Sequence, residues 1–267
     1  MSAQAPTPET PNDPTGSAAA SAAVPPLNGS TPPEEGTMTI LEHLEELRQR
    51  IIIAGAALLV GMVIAAFLLT GRVMELLVQL AIDATGNRPI NINPPEIFIA
   101  YLKVTLFTGV ALAMPVLIHQ AFMFVLPALT SKEKRLALIF VPGASISFVI
   151  GVVFGYFVLV RQALLFLGGF SQGLIDPMWT IGPYLSFVTT FLFWIGVCFE
   201  MPLVILFLTK VGVVRRQQLT RYRKYAFLMA FVIAAVITPT PDPFNQTLVA
   251  VPLFLLYELG LLLARWA

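Results

Sequence analysis

Long apolar stretches separated by short polar segments fill most of the chain from residue 48 onward. Because an α-helix rises 1.5 Å per residue, about 20 apolar residues cross the roughly 30 Å hydrocarbon core of a bilayer. The pattern predicts an all-α membrane protein with six transmembrane helices, at about 48–70, 98–126, 135–160, 183–209, 223–238 and 245–264. We expect the fifth and sixth helices to be short. A fifth helix of about 14 residues reaches only about 21 Å and would thin the bilayer beside it.

The N-terminal segment has a different composition from the rest of the chain. Residues 1–37 are rich in Pro, Ala, Ser and Thr, and they hold too little apolar surface to offset the entropy of ordering the chain. This composition predicts a disordered cytoplasmic tail, followed by a single six-helix transmembrane domain at 38–265. The tail lacks the basic start and apolar stretch of a signal peptide, so we expect it to be retained.

Lysine and arginine are unevenly distributed among the segments between the predicted helices. Twelve fall on one side of the bilayer, in the N-terminal segment, the 127–135 and 210–224 connections and the C-terminal end, and four fall on the other side. Short cytoplasmic connections hold the excess of positive charge. Both termini are therefore predicted to be cytoplasmic, with the connections at 71–97, 161–182 and 238–244 outside.

Composition and charge exclude several other classes of protein. With 57% hydrophobic and only 12% charged residues, the chain is far more apolar than a soluble domain of this length. A net charge of +1 does not favour a nucleic-acid partner. One cysteine and two histidines make a disulfide impossible within the chain and a metal site improbable. The GxxxxGK[ST] phosphate loop is absent, so we expect no ATP use and no cofactor.

Prolines fall inside four of the predicted helices, at Pro115, Pro142, Pro202 and Pro252. Each removes a helical hydrogen bond and tends to kink the helix, so together they predict a concave wall of kinked helices. The alternative is that proline is simply commoner in membrane helices than in soluble ones.

Two polar segments border the predicted cytoplasmic face. EHLEELRQRI (42–51) predicts an amphipathic helical start, and FVLPALTSKEKR (124–135) begins at a helix end and closes in a basic run that holds one acid. Residue types alone favour simple interpretations. The first segment is a solvated helix end in which Glu46 and Arg50 form an i,i+4 ion pair, and the second is an ordinary positively charged loop.

Five motifs, taken together, resemble one family. They are HLEELRQRI (43–51), FxxPALTxxEKR (124–135), FGYFV (154–158), FExP (199–202) and ITPTPDPFNQ with LYE (237–258). In this order and spacing they resemble the TatC family, the multispanning receptor subunit of the twin-arginine protein translocase, over essentially all of 38–265. The resemblance implies a non-enzymatic receptor and scaffold that binds folded precursors through a signal with two consecutive arginines. It also implies that export is driven by the proton gradient.

The resemblance also implies which residues bind the signal. The family's arginine-binding carboxylates match Glu46 and Glu133. A guanidinium pairs bidentately with a carboxylate, which lysine cannot reproduce. Phe124 would supply apolar contact. The neighbouring cations would keep the carboxylates ionised and oriented; they are Arg48, Lys132, Lys134 and Arg135.

Polar residues at membrane depth form a second group, because such residues usually face a protein interior or a wet cavity. Glu200 is predicted to lie under the passing substrate, or alternatively to form a structural hydrogen bond, and Gln120 is a second intramembrane polar residue. By resemblance, three residues contact the partner subunits: Thr238, Asp242 and Gln246. The TPTPDP run (238–243) is more proline-rich than in some members of the family, so the register before Asp242 stays open. Packing or interface roles are favoured for His119 and Lys103.

The resemblance further implies the partners and the location. The partners are twin-arginine signal peptides, small single-span TatA/TatB-type subunits, the lipid bilayer and further copies of the chain in a homo-oligomer, in the plasma membrane of a prokaryote. Two other classes were weighed. A small-solute transporter would share buried carboxylates and broken helices, but the two halves of the chain show no evident repeat. An intramembrane protease needs a nucleophile with a base, and no GxSxG-like motif is present.

Overall fold

The structure, a computed structural model, describes residues 40–125, 131–170, 178–238 and 242–265; at 40, 125 and 131–139 it describes the backbone alone. The predicted tail at 1–37 lies outside the described residues. Those residues form ten α-helices, and π-helical segments join α1 to α2 (Ala65–Leu69) and α4 to α5 (Gly155–Val160). The α-helices are α1 (Ile40–Ile64), α2 (Thr70–Thr85), α3 (Pro94–Val125), α4 (Ser131–Phe154), α5 (Arg161–Gly169), α6 (Ile181–Phe199), α7 (Met201–Lys210), α8 (Arg216–Arg221), α9 (Arg223–Ile237) and α10 (Pro243–Leu263).

Five helical stretches of the described chain are long and apolar enough to cross a membrane, judged by length and composition. They are Leu41–Thr85, Pro94–Phe124, Phe140–Gly169, Ile181–Lys210 and Pro243–Leu263. The fifth predicted helix corresponds to α9, which has 15 residues and therefore spans only about 22 Å, so it is short as predicted. The prediction of a short sixth helix is wrong. α10 has 21 residues and reaches about 31 Å, because its helix begins at Pro243, where Asp242 caps it.

The connections that hydropathy assigned to 71–97 and 161–182 are largely helical. α2 continues the first span to Thr85, and α5 continues the third to Gly169. Hydropathy misses these turns because they extend beyond the continuous apolar run, although α2 buries Leu77, Leu80 and Ala81. The first helical rod ends at Gly86, whose φ of 74° is left-handed and whose N–H donates to the Ile82 carbonyl.

α1 and α3 pack closely and run antiparallel, since contacts occur in opposite order along the two helices. Near the end of α1 and the middle of α3, Gly61 faces Gly109, and a Cβ on Gly61 would lie 2.6 Å from the Gly109 carbonyl oxygen. Farther along, the Thr70 and Thr105 hydroxyl groups lie 3.0 Å apart, and Thr70 also donates to the Ala65 carbonyl at 2.9 Å. These bonds satisfy hydroxyl groups that have no access to water. They also fix the register of α1 and α2 on α3.

The main core lies where α6 packs against α2, α3 and the α4–α5 rod. Its largest fully buried side chains come mainly from these elements; they include Leu159, Leu164, Leu185, Val188, Phe191 and Leu192. α10 packs on α9 and α7 at the other edge. Backbone hydrogen bonds between Ile90 and both Trp179 and Ile181, each of 2.9 Å, join the segments that precede α3 and α6.

Three of the four prolines lie inside helices, namely Pro115 in α3, Pro142 in α4 and Pro252 in α10. Pro202 stands in the first turn of α7, directly after Glu200 separates α6 from α7. A proline in a first turn costs no hydrogen bond, because that N–H has no helical partner. The fourth span is thus two helices, and the break falls beside its carboxylate.

Candidate functional site

The side chain of Glu46 lies on the face of α1 that packs toward α3. Its carboxylate is 17% exposed, and Oε1 accepts a hydrogen bond from Nη2 of Arg50 at 2.8 Å. The other oxygen, Oε2, lies 3.8 Å from Nδ1 of His43. One turn of helix separates each of these residues from Glu46, which is why their side chains meet on one face. The Glu46–Arg50 pair expected from the spacing is confirmed.

Two side chains from the end of α3 complete this cluster. Gln120 accepts a hydrogen bond from Nη1 of Arg50 at 3.3 Å, and its side chain is buried. Phe124 stacks on the ring of His43 with centroids 4.4 Å apart and planes 18° apart. Because α1 begins where α3 ends, both helices bring these polar and aromatic groups to one end of the bundle. We call this the Glu46 cluster: His43, Glu46, Arg50, Gln120 and Phe124.

Two polar atoms of the Glu46 cluster are buried without a hydrogen-bond partner among the described residues. They are Oε2 of Glu46 and Nε of Arg50. A buried polar atom left unpaired costs about 1–3 kcal/mol, so native structures rarely keep one without a functional or structural reason. Oε2 of Glu46 retains the capacity to accept a hydrogen bond, so a further cationic donor that reached it would satisfy the carboxylate.

The other charged residues that were predicted for the signal site lie outside the Glu46 cluster. Arg48 is 72% exposed on another face of α1, and its Nη1 lies 3.5 Å from Oε1 of Glu45. Glu133 stands in the first turn of α4, together with Lys132 and Arg135; the structure describes their backbone alone. The described side chains therefore bring Glu46, Phe124 and Gln120 together and direct Arg48 toward Glu45.

Glu200 occupies the break between α6 and α7. Its Oε1 is buried and has no hydrogen-bond partner in the described part of the chain. Next to it, the Phe199 carbonyl oxygen accepts a hydrogen bond from the Ser147 hydroxyl of α4 at 2.7 Å. The neighbouring helix therefore contributes a polar side chain at the same level, where the helical ladder of the fourth span is interrupted.

The three residues expected at a partner contact lie around the α9–α10 junction. Thr238 is buried, and its hydroxyl donates to the Ala234 carbonyl at 2.8 Å. Asp242 caps α10 by accepting from the Asn245 N–H at 2.6 Å. Gln246 donates from Nε2 to the Phe231 carbonyl of α9 at 3.1 Å, so it joins the two helices.

Several further polar contacts were not predicted from the sequence. Glu96 at the start of α3 accepts from the Gly182 N–H at 2.7 Å and thereby joins α3 to α6. At another helix junction, Arg223 of α9 pairs with Glu258 of α10 at 2.7 Å. Spacing gives no signal for either contact because the partners are far apart in the chain.

Lys103 is exposed on α3 and donates to the Ser186 hydroxyl of α6 at 2.6 Å, in keeping with the interface role favoured for it. In the part of the chain that the structure describes, no group of three His, Cys, Asp or Glu residues is arranged to hold a metal ion.

The described residues form an all-helical fold with several apolar helices of membrane length, which defines the class of multispanning membrane proteins. A family profile described as "Sec-independent protein translocase protein (TatC)" matches residues 42–252. The chain belongs to the TatC family, and it is therefore a membrane component of a twin-arginine protein translocase.

Known relatives cover the same length of the chain. The TatC proteins of Carboxydothermus hydrogenoformans and Aquifex aeolicus are 37% and 39% identical, each over 233 residues that cover 87% and 86% of this chain and 95% and 96% of the relative. A chloroplastic TATC protein of Arabidopsis thaliana is 36% identical and covers 84% of this chain and 66% of its own length.

Two crystal structures of "Twin Arginine Translocase Receptor- TatC" superpose with TM-scores of 0.75 and 0.77 at 38% identity. Each comparison covers 84% of this chain and 99% of the solved chain. The fold of the spanning region is therefore the TatC fold.

Proposed function

We propose that the chain is the receptor and scaffold subunit of its translocase. It binds the Arg-Arg signal peptide of folded precursors at its cytoplasmic face and nucleates assembly of the export complex, with transport driven by the proton gradient. The observation that carries this proposal is Glu46. At one end of the bundle, its mostly buried side chain has one carboxylate oxygen without a hydrogen-bond partner among the described residues, next to His43, on which Phe124 stacks.

The proposed binding mode uses two carboxylates, on α1 and at the start of α4. Glu46 and Glu133 each accept one guanidinium of the arginine pair, and Phe124 packs against the apolar residues that follow. Lys132 and Arg135, with Arg48 on the flanking turn of α1, add positive charge to the same segments and complete the proposed signal-binding set. A carboxylate with an open oxygen favours the planar fork of arginine over the point charge of lysine.

The proposed topology places the Glu46 cluster in the cytoplasm. Residues 38–265 form one domain of six membrane crossings, with α9 as the short fifth crossing and both termini inside. The excess of Lys and Arg at the ends that carry Glu46 and Glu133 supports this orientation. In this proposal, helices kinked at prolines form a concave wall, and Glu200 and Gln120 are polar residues of that wall. The bacterial relatives support a location in the plasma membrane of a prokaryote.

The proposed assembly site is the α9–α10 junction. Thr238, Asp242 and Gln246 hold the two helices together there, and we propose that small single-span subunits of the TatA/TatB type bind along this edge. The same scaffold packs with further copies of itself in the complex. Support comes from Gln246, a polar side chain close to membrane depth, where one interhelical hydrogen bond is commonly worth about 0.6 kcal/mol and reaches about 1.7.

Photocrosslinking from a photoreactive residue beside the arginine pair of the signal peptide tests the receptor assignment, because it leaves Glu46 and Glu133 in place. The labelled Arg-Arg peptide should crosslink to the segments around both carboxylates, and its Lys-Lys version should crosslink far less. Glu46→Gln should abolish most of the binding, whereas Glu45→Gln makes the same chemical change on the exposed neighbouring face and should leave binding intact. Equal crosslinking of the two peptides would refute the assignment.

A further inference from the structure

Arg50 already occupies part of the carboxylate that the proposed function assigns to the signal arginine. Its Nη2 donates to Oε1 of Glu46 at 2.8 Å, and the two side chains are only 23% and 17% exposed. The guanidinium of Arg50 is chemically identical to the group that the site is proposed to bind. In the unbound protein, one arginine is therefore already present at Glu46, and it belongs to the chain itself.

Arg50 forms fewer hydrogen bonds than its mostly buried guanidinium could donate. It makes one bond to Glu46 and a longer bond of 3.3 Å from Nη1 to Gln120, a neutral acceptor. Its Nε is buried without a hydrogen-bond partner among the described residues. A bidentate fork, with two parallel bonds to one carboxylate, is the strongest arrangement open to arginine, and Arg50 does not make it.

Only one of the two oxygens of the Glu46 carboxylate accepts a hydrogen bond among the described residues. Oε2 of Glu46 accepts no hydrogen bond in the described structure, while Oε1 is taken by Arg50. An incoming guanidinium that pairs with both oxygens must therefore take Oε1 from Arg50. Gln120 lies within reach to keep Arg50 once it leaves Glu46, because Nη1 already points at the amide oxygen.

We propose that Arg50 is a further residue of the signal-peptide site, a resident guanidinium that the signal arginine displaces from Glu46 onto Gln120. This inference rests on the proposed function. In the absence of a signal, Arg50 neutralises a partly buried carboxylate that would otherwise be costly. When a signal binds, its fork replaces one bond by two. A ligand that takes Oε1 of Glu46 must first displace Arg50, so Arg50 lowers the affinity of the site for the Arg-Arg signal.

Binding of fluorescent Arg-Arg and Lys-Lys signal peptides to the full-length protein in nanodiscs tests the inference. Removing the resident guanidinium in Arg50→Gln should lower the Kd of the Arg-Arg peptide by about threefold or more, and the Lys-Lys peptide shows whether the wild-type protein prefers arginine. Arg216→Gln removes the same charge from an exposed position in α8 and should not alter the Kd. If Arg50 were merely structural, Arg50→Gln would weaken binding; a weaker or unchanged affinity overturns the inference.

Gln120 supplies a second measurement in which no charge changes. Gln120→Leu removes the acceptor that keeps the displaced guanidinium, so binding of the Arg-Arg peptide should weaken. In an Arg50→Gln background the same change should have no effect, because there is then no displaced guanidinium for Gln120 to accept. A loss of equal size in both backgrounds would mean that Gln120 contacts the peptide directly, and it would contradict displacement.

The two proposals fail in different ways. If the wild-type protein does not prefer the Arg-Arg peptide, the receptor assignment is wrong. If that preference is present but Arg50→Gln does not strengthen binding, the displacement alone is wrong. Should Arg50→Gln not fold, Arg50→Lys keeps the charge but offers only a point contact to Glu46. It should strengthen binding by a smaller factor, and no gain would count against the inference.

Discussion

Tyr184 of α6 donates its hydroxyl hydrogen to the backbone carbonyl oxygen of Leu77 in α2, at 2.6 Å. Both residues are buried, with 5% and 2% of their surfaces exposed. A buried tyrosine hydroxyl requires a partner, and here the partner belongs to the helical extension of the first span. The bond therefore ties the fourth span to an element that hydropathy did not separate from its loop.

Tyr184→Phe should lower the stability of the protein by about 1 kcal/mol, because a buried interhelical hydrogen bond is lost while the ring still packs. Thermal unfolding in detergent is the measurement. Tyr225→Phe removes a hydroxyl from an exposed ring and is the matched control, with no expected change. Equal melting temperatures for the two variants would mean that the Tyr184 bond is not stabilising.

Gly61→Ala should separate α1 from α3, because the new Cβ would lie 2.6 Å from the Gly109 carbonyl oxygen, a backbone atom that cannot rotate away. Overpacking of this kind costs about 1–3 kcal/mol. The variant should melt earlier and bind the signal peptide less tightly, since the Glu46 cluster spans both helices. Gly55→Ala is the control in the same helix, because its new Cβ has no tertiary neighbour within 4 Å among the described residues. A Gly61→Ala protein as stable as Gly55→Ala would contradict the close packing.

Glu200→Ala should reduce transport of a folded precursor while leaving binding of the signal peptide largely intact. The buried carboxylate stands at the break between α6 and α7, at a distance in the chain from the Glu46 cluster. Glu200→Gln keeps a polar group of the same shape and separates the effect of charge from that of hydrogen bonding. The two measurements are vesicle transport and peptide binding. Parallel losses in both would assign Glu200 a structural role.

Gln246→Ala should weaken copurification of single-span partner subunits, because it removes the hydrogen bond to Phe231 and a polar group at the α9–α10 edge. Thr247→Ala changes the next residue, which is exposed and bonds only back to Pro243 within its own helix as far as the described contacts go. Retention of partners should fall for the first variant alone. If both variants retain partners equally, assembly does not occur at this edge.

The sequence predicted the helical class and the apolar spans because each depends on local composition. Glu46 and Arg50 were paired correctly for the same reason, since a spacing of four places them on one helical face. The contact between Arg50 and Gln120 was not predictable. It depends on the register of α1 against α3, which is set by the approach at Gly61 and by the hydroxyl pair of Thr70 and Thr105.

The helical extensions were missed for a related reason. α2 alternates buried apolar residues with exposed polar ones, so its hydropathy falls although its backbone remains helical. The carboxylate of Glu96 gave no signal either, because its partner Gly182 enters the sequence 86 residues later. Contacts of this kind arise from tertiary packing, and no local pattern of residues in a single sequence indicates them.

The π-helical segment Ala65–Leu69 lies inside one helical rod of 45 residues, between the turn that carries Glu46 and the turns that bury Leu77. A π-bulge behaves as one residue added to an α-helix, and each residue of an α-helix turns the chain by about 100°. The π-helical segment therefore sets the rotation of α1 relative to α2 about the helix axis. Removing one residue from it would leave both helices intact but would change their relative rotation by about 100°. Glu46 and Leu77 could then no longer face their present partners at the same time.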